Sequence, residues 1–333
     1  MTVDRRTFIA GSLRLASSAA RTALLNKPRY RVIRKQPRSR VAILCAETYS
    51  QNLGEVLRYG VDLFHLDVRG KTVLLKPNLV DYIPGNHINT HPLLVSGAIE
   101  CFRQLGAAVV VGEGPGHQRD TELVLFESGM ADALRQQTVR FVDLNRDELV
   151  ETPLLAGYTG LKHLWLPRTI LEADFVVSMP KVKAHHWSGV TLSMKNMFGI
   201  VPGAKYGWPK NILHWKGIDR SILDICATVP VHFVIADAIV AMEGNGPLNG
   251  KPRPLHRIVL ADDPVAADAT CARLMGLNPE MITHIRAGAQ FLGNSSSERI
   301  DQIGEPVRAP VRAFQLLPEL EYLRETKFLE RKA

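Results

Sequence analysis

The 333-residue sequence contains few cysteines, and those it has are far apart. Cys45, Cys101, Cys226 and Cys271 each lie among apolar residues, and no two of them form a CxxC pair. This spacing gives no support for an iron–sulfur cluster or a cysteine zinc site, and it indicates buried thiols. Long apolar runs are also missing. None reaches the roughly 18 residues that a membrane-spanning helix needs, so no transmembrane segment is predicted.

Acidic residues are scarce at the N terminus. Residues 1–40 contain eleven Lys or Arg and one acid, Asp4, whereas the remaining chain has 30 basic and 32 acidic residues. The net charge of +8 therefore comes from the first segment, and the rest is slightly acidic. Because the body lacks the basic surface that polyanions require, no nucleic-acid partner is expected.

The basic segment, residues 1–39, has the order of an export signal. Arg5 and Arg6 precede Phe8 and a weakly apolar run that extends to Ala20. This order resembles a twin-arginine signal, although Arg14 interrupts the apolar run. We therefore expect an exported, periplasmic protein. A basic tail on a cytoplasmic protein is the alternative interpretation.

The body alternates short runs rich in Val and Ile with longer segments of helical period. The predicted strands are 41–46, 72–76, 107–112, 138–143, 174–178, 231–237 and 256–261. The predicted helices are 52–65, 91–105, 119–135, 216–228, 264–275 and 279–290. This pattern predicts an α/β fold with a mostly parallel sheet flanked by helices, as one domain over 40–315 or as two α/β lobes around a central cleft. Residues 316–333 are expected to form a solvated terminal helix or tail.

Polar motifs follow several of the predicted strands, where ligands bind in open α/β sheets. Lys76 and Asn78 flank Pro77 at one strand exit. The loop 112–117, "GEGPGH", lacks the dinucleotide-binding pattern GxGxxG and is interpreted as a plain turn. Asp237 ends an apolar strand, where the pKa of a carboxylate is readily shifted, and is a candidate acid or base.

Three further acids are candidates for the site. Glu243 is expected in a glycine-rich loop, "MEGNGPLNG", that is too irregular for a strand. Asp262 and Asp268 flank Asp263, whose position before Pro264 is explained by helix capping alone. Asp262 and Asp268, together with Asp237, are possible counterions for a nearby group of lysines.

The segment 180–205, "PKVKAHHWSGVTLSMKNMFGIVPGAK", is the strongest functional motif. If residues 189–197 are helical, Thr191 and Lys195 lie four residues apart on one face, with Asn196 beside them. A loop would then bring a set of cations to the N-terminal end of that helix: Lys181, Lys183 and His185. Cations embedded in apolar sequence repel each other unless an anion lies between them, which indicates a site for a negatively charged ligand.

The order of these motifs resembles the bacterial and archaeal family known as domain of unknown function 362. The resemblance covers roughly Val73 to Gly293 and is carried by "LLKPNLV", the 180–199 segment, "DAIVAMEGNGPLNGKPR" and "ADDPVAADATCARLMGL". The central segment and the following "NILH" are also similar to nickel-pincer lactate racemases. That similarity implies a catalytic His185, a cofactor-bearing Lys195 and a metal-ligating His214, but Leu192 and Ser193 replace the paired glycines of those enzymes.

These features predict an enzyme that acts on a small carboxylate- or phosphate-bearing molecule. Lys76, Lys183 and Lys195 would hold the anion, assisted by Asn78, Lys181, Thr191 and Asn196. His185 or His214 would move a proton, and Asp237 would orient or receive it. The alternatives are a racemase- or isomerase-like metal-pincer enzyme, with His214 or His185 as metal ligand, and a non-catalytic exported binder of an anion or metal. The sequence identifies neither a cofactor nor an oligomeric state.

Overall fold

The computed structural model describes residues 35–49, 52–117, 120–308 and 312–325. The expected twin-arginine signal lies outside these ranges. Twelve strands occur within them: β1 Ser39–Cys45, β2 Thr72–Pro77, β3 Ala108–Glu113, β4 Arg140–Asp143, β5 Leu149–Pro153, β6 His163–Pro167, β7 Phe175–Met179, β8 Lys181–His185, β9 Gly189–Thr191, β10 Phe233–Asn245, β11 Asn249–Ala261 and β12 Ile300–Gly304.

Ten of these strands form one sheet, and β5 pairs with β6 separately. The order along the main path is β12-β1-β11-β10-β7-β2-β3-β4, with β8 pairing to β10 and β9. The pairings β12–β1, β10–β7, β7–β2, β2–β3, β3–β4 and β8–β10 are parallel. Those of β11 with β1 and β10, and of β8 with β9, are antiparallel. The prediction of a mostly parallel sheet is therefore confirmed.

The helices that accompany the sheet occupy the segments between the strands. They are α1 Leu53–Asp62, α2 Pro92–Gln104, α3 Thr121–Glu127, α4 Met130–Gln136, α5 Arg168–Glu172, α6 Ser193–Asn196, α7 Gly203–Tyr206, α8 Asn211–Trp215, α9 Ile218–Thr228, α10 Pro264–Leu274 and α11 Thr283–Gly288. The segment 119–135, predicted as one helix, is divided at Gly129, whose φ of 75° cannot continue a right-handed helix.

Both faces of the sheet are buried. In β2, Val73 and Leu75 pack in one apolar cluster, which also contains residues of α1 and α2. Leu74 points the other way, into a cluster that contains residues of α9 and α10. Burial on both faces explains why the strands appear in the sequence as nearly continuous apolar runs.

The structure corrects the sequence prediction in the central segment. The expected helix over 189–197 is wrong in its first half, because residues 189–191 form strand β9 and the helix α6 begins only at Ser193. Lys181, Lys183 and His185 do not lie in a loop but in β8, which pairs with β9. Thr191 and Lys195 therefore belong to different elements rather than to one helix face.

The expectation of an irregular loop around Glu243 is wrong. Strand β10 continues eight residues beyond Asp237 and includes Glu243, so the glycine-rich motif forms a hairpin with β11. Near the C terminus, Pro318–Arg324 forms a 3₁₀ helix in which Leu320 and Leu323 are buried and Glu319 and Glu321 are exposed. The rest of the expected terminal helix or tail, beyond residue 325, lies outside the described ranges. Within the described ranges, no helix has both the length and the apolar character to cross a membrane.

Candidate functional site

The carboxyl ends of neighbouring parallel strands form one wall of a cavity. The strand β2 ends at Pro77 and is followed by Asn78, and the adjacent β3 ends at Glu113. Asn78 and Glu113 line an open cavity whose empty volume, including the solvent space at its mouth, is about 550 Å³. This is the edge of the sheet at which ligands bind in open α/β folds.

A buried ion pair lies at this wall. The Lys76 ammonium donates to Glu113 Oε2 at 2.5 Å and to Asn196 Oδ1 at 3.2 Å, and neither partner of the ion pair is exposed beyond 1%. A Cβ at Gly199 would collide with Glu113 Oε1 and lie 2.8 Å from Lys76 Nζ. Glycine at 199 therefore allows the backbone to approach the ion pair closely.

The β8–β9 hairpin supplies the next wall. Residues 181–185, "KVKAH", alternate between the two faces of β8, so that Lys183 and His185 point into the cavity while Val182 and Ala184 are in the core. Thr191 in β9 is the direct partner of Lys183 and lines the same cavity. Lys183 Nζ donates to the carbonyl oxygen of Ile88 at 2.8 Å. Burial lowers the pKa of Lys183 well below its ordinary value, and the nearby charges of Lys195 and Lys181 lower it further.

His185 is held in one tautomer by the backbone. Its Nδ1 accepts hydrogen bonds from the N–H groups of Trp187, at 3.0 Å, and Ser188, at 3.2 Å. Because Nδ1 is the acceptor, the ring proton of neutral His185 lies on Nε2. Burial lowers the pKa of His185 well below its ordinary value, and the Lys195 charge adds to this effect. His185 is therefore a neutral donor through Nε2–H, and that nitrogen has no lone pair for a metal ion.

Lys195 is carried by the short helix α6. The carboxylate of Asp268 in α10 accepts from the backbone N–H groups of Ser193, at 2.6 Å, and Met194, at 3.0 Å, and so fixes the start of this helix. The Lys195 ammonium is half-buried and lies 4.3 Å from the centre of the Phe198 ring. Burial, and next the charge of Lys76, lower the pKa of Lys195 to about 8.

A third lysine reaches the cavity from the segment before α8. Lys210 has a left-handed backbone conformation, with φ of 70°, and its side chain is buried. Its ammonium donates to the carbonyl oxygens of Gly114, at 3.1 Å, and Gly199, at 2.9 Å. Burial is the main cause that lowers the pKa of Lys210 to about 7. Within the described ranges, no carboxylate forms an ion pair with Lys183, Lys195 or Lys210.

Two more histidines line the cavity. His214 in α8 has Nδ1 at 3.3 Å from the carbonyl oxygen of Lys210, and its ring packs against Trp187 and Phe198. If Nδ1 donates to that carbonyl, Nε2 is left with its lone pair and can accept a proton. Burial lowers the pKa of both His214 and His117, so both rings are mainly neutral at pH 7.

Most of the residues expected in the site lie together. The cavity is lined by Asn78, Lys183, His185, Thr191, Lys195, Asn196 and His214, and Lys76 lies directly behind it in the ion pair with Glu113. The four acids that were candidates for the site do not line it: Asp237, Glu243, Asp262 and Asp268.

Asp237 belongs to a separate polar cluster with Lys181. Its carboxylate accepts from Lys181 Nζ at 2.6 Å, from Tyr49 Oη at 2.7 Å and from the His91 N–H at 3.0 Å. The Tyr49 ring stacks on His91 with the ring centres 3.7 Å apart. Since these three donors occupy the acceptor positions of the Asp237 carboxylate, the main role of the cluster is to hold strand β10 against the start of α2.

The remaining acids have structural partners of their own. Glu243 pairs with Arg312 at 2.6 Å and accepts from the Gln315 N–H at 3.0 Å, which attaches the C-terminal segment to the β10–β11 hairpin. Asp262 accepts from the Arg40 N–H at 2.8 Å. Asp268 acts on the site only indirectly, through the start of α6.

Sequence reasoning missed Glu113, His117 and Lys210. Glu113, the last residue of β3, and His117 both belong to the motif 112–117, which was interpreted as a plain turn. The position of this motif at the end of a predicted strand could have indicated that Glu113 and His117 belong to the site. Lys210 gave none, because its direction depends on a left-handed backbone that its neighbours do not indicate.

Among the residues that the structure describes, no group of three or more His, Cys, Asp or Glu side chains is arranged to hold a metal ion. The tautomer of His185 also opposes a ligand role for its Nε2. The described side chains therefore provide no three-ligand metal centre, and the charged and titratable groups of the cavity are mainly lysines and histidines.

The chain belongs to the family described as domain of unknown function DUF362. Residues 73–273 match this family, which is more than half of the chain and includes the strand exits, the β8–β9 hairpin and helix α6. The family assignment made from the ordered motifs is thus confirmed.

Two individual proteins are similar to this chain. A thylakoid-associated protein of Synechocystis sp. is 28% identical over 224 residues, which is 66% of this chain and 67% of that protein. The lactate racemase apoprotein of Thermoanaerobacterium thermosaccharolyticum matches with 12% identity and a TM-score of 0.44, covering 73% of this chain. The match spans 58% of the racemase chain, and it is a distant structural similarity.

Proposed function

We propose that this protein is an enzyme that binds a small carboxylate- or phosphate-bearing molecule in the cavity and transfers a proton to or from it. One observation carries the proposal: Lys183, Lys195 and Lys210 converge on one cavity without an ion-pair partner among the described carboxylates. Without a counterion, a buried amine is costly in its charged form, so the charged amines among these three require compensation. A bound anion would compensate them.

The histidines divide into two roles in this proposal. His185 donates its Nε2–H to an oxygen of the ligand, because its Nδ1 is already engaged by two backbone N–H groups. His214 accepts a proton at Nε2, because its Nδ1 faces a carbonyl oxygen. A neutral imidazole near a bound anion is suited to general base catalysis at neutral pH.

Calorimetry against small anions tests the binding step. We expect at least one of oxalate, lactate, malate or inorganic phosphate to bind to the purified full chain. The Lys195→Met variant keeps the side-chain volume and removes the charge, so binding should weaken at least tenfold, as expected for the loss of one charged hydrogen bond of about 1.5–3 kcal/mol. The exposed Lys216 is the matched control, and Lys216→Met should bind as the wild type does. If no anion binds, the proposal is wrong.

Hydrogen exchange tests the catalytic step. Each ligand that binds and has a C–H bond next to its carboxylate, such as lactate or malate, is incubated with the protein in D₂O, and exchange of that hydrogen is followed by proton NMR. We expect exchange with the wild type and none with His214→Gln, while the affinity of that variant stays within a few-fold. Binding without any exchange would instead indicate the non-catalytic binder that the sequence left open.

Export through a twin-arginine signal remains a proposal about location. It is supported by the order of Arg5, Arg6 and the following apolar residues. Cell fractionation of the full-length protein and of an Arg5→Lys, Arg6→Lys variant tests it. Equal cytoplasmic retention of both proteins would contradict export.

A further inference from the structure

Lys183 differs from the other lysines of the cavity in its surroundings. Its side chain has 0% exposure, and one hydrogen bond, to the Ile88 carbonyl oxygen, is its polar contact in the described structure. Lys76 has Glu113 and Lys181 has Asp237, but no described carboxylate pairs with Lys183. A desolvated amine beside other cations is stable as the neutral –NH₂ form, which carries a nucleophilic lone pair.

Lys195 has the complementary character. It is half-buried, its ammonium lies over the Phe198 ring, and its pKa of about 8 leaves it mostly charged at pH 7. Two amines in one cavity whose environments separate their protonation states can serve different functions. The charged amine is suited to hold a carboxylate, and the neutral amine is suited to attack carbon.

Two unpaired polar atoms lie in the same cavity. Asn78 Oδ1 and Thr191 Oγ1 are buried and have no hydrogen-bond partner among the described residues. Thr191 is the direct cross-strand partner of Lys183. A buried polar atom without a partner costs about 1–3 kcal/mol, so a ligand with O–H or N–H donors would stabilise this wall.

We propose that Lys183 forms an imine with the carbonyl carbon of a small oxo-carboxylate whose carboxylate is bound by Lys195. This inference rests on the proposed function and deepens it, because it names the substrate class as a carboxylate that also carries an aldehyde or ketone group. The carbinolamine that precedes the imine carries the O–H and N–H donors that Asn78 Oδ1 and Thr191 Oγ1 lack, and the protonated imine keeps the N–H.

The reaction balances without an oxidant or reductant. The Nζ lone pair attacks the carbonyl carbon, and a proton moves from nitrogen to the former carbonyl oxygen to give a carbinolamine. The C–O bond then breaks, and the hydroxyl leaves as water with one proton taken from solvent or from the Lys195 ammonium. The product is a protonated imine, so amine, carbonyl compound and one proton yield iminium and water.

Reductive trapping tests this inference. The full-length protein is incubated at pH 7 with pyruvate, the simplest 2-oxo carboxylate, and sodium cyanoborohydride, and the adduct is located by peptide mass spectrometry. An exposed lysine of ordinary pKa has only about one part in 2,500 as free amine at this pH. We therefore expect a single reduced adduct, on Lys183, at a rate at least a hundredfold above that of any exposed lysine such as Lys216.

Variants separate the roles of the lysines. Lys183→Met should abolish the adduct, Lys195→Met should lower the trapping rate at least tenfold by removing the carboxylate anchor, and Lys216→Met should leave it unchanged. Circular dichroism checks that each variant is folded. The mapping of the wild-type adduct is itself decisive, so the inference stays testable if Lys183→Met does not fold.

The outcomes distinguish this inference from the proposed function. Adducts on Lys195, or spread over exposed lysines, would overturn the assignment to Lys183. If oxalate or lactate binds but pyruvate leaves no adduct, the imine is wrong and the anion-binding enzyme remains. If no anion binds and no adduct forms, both are wrong.

Discussion

Anion binding at this cavity should be coupled to proton uptake. The pKa of Lys195 is about 8 and that of Lys210 about 7, both lowered mainly by burial from an ordinary value of 10.5. At pH 8 the empty site therefore holds about half a proton on Lys195 and about one-tenth on Lys210. A bound anion favours the charged forms and should return both pKa values toward their ordinary range.

The sign and size of the effect follow from these values. Affinity is greatest below pH 7, where both amines are already charged, and falls as the pH rises through 7 and 8. Between pH 7 and pH 9 the Kd should rise about tenfold from Lys195 alone, and about 500-fold if Lys210 is charged in the complex as well. His185 does not contribute, since it stays neutral throughout this range.

Calorimetry with oxalate measures both quantities. Titrations at pH 7, 8 and 9 give the Kd, and titrations in two buffers of different ionisation enthalpy give the number of protons taken up. Lys195→Met should reduce the uptake at pH 8 by about half a proton and remove the tenfold part of the pH dependence. Lys216→Met should change neither. A Kd that is constant from pH 7 to 9, or proton release on binding, would refute the reasoning.

Three further predictions concern stability. Folding lowers the pKa of Lys195, so the unfolded state binds more protons and stability rises with pH. From pH 8 to 10 the unfolding free energy of the wild type, measured by urea denaturation, should therefore rise by about 2 kcal/mol more than that of Lys195→Met. An equal pH dependence of the two proteins would contradict this. Glu113→Gln should lower the unfolding free energy by about 3–5 kcal/mol, because it leaves the buried Lys76 ammonium unpaired. Asp67→Asn, which removes an exposed ion pair with Lys71, should lower it by less than about 1 kcal/mol. Similar losses in the two variants would contradict this prediction. Asp268→Asn should lower the unfolding free energy by about 1–3 kcal/mol and weaken oxalate binding, because it disturbs the start of α6. The control Asp262→Asn changes an exposed residue and should leave oxalate binding unchanged. Unchanged binding in both variants would exclude a positioning role for Asp268.

The central strands of the sheet, among them β2, β7 and β10, were predictable because they are buried on both faces. Such strands consist of consecutive apolar residues, as in residues 72–75, and their order along the chain with helices between them indicates a parallel sheet. The location of the site at the strand ends follows from the same arrangement. The strands, the parallel sheet and the location of the site were therefore predictable, because each depends on residues close together in the sequence.

The hairpin β8–β9 was not predicted, although residues 181–185 alternate polar and apolar side chains as a strand does. The charges at Lys181 and Lys183 suggested a loop, because lysine is rarely buried without a partner. Only the surrounding structure shows why they are buried: one pairs with Asp237 and the other faces the cavity. The three-residue strand β9 is too short to give a periodic pattern of its own.

The role of Asp268 depends on contacts distant in sequence. It accepts hydrogen bonds from N–H groups 74 and 75 residues away, so nothing near it in the sequence indicates that it fixes the start of helix α6, which carries Lys195. Its expected role as a counterion was drawn from charge alone. The packing of α10 against α6 determines what that charge does.

The walls of the cavity come from widely separated parts of the chain. They include the exits of β2 and β3, the β8–β9 hairpin, helix α6 and the segment that leads into α8, and they span residues 78 to 247. No fragment of the protein holds the whole cavity, so a ligand that fits it binds the native fold and not the unfolded chain. Such a ligand at 100 times its Kd would add about 2.7 kcal/mol to the unfolding free energy. An increase in the melting temperature of the protein can therefore identify the natural ligand within a collection of metabolites before any reaction is known.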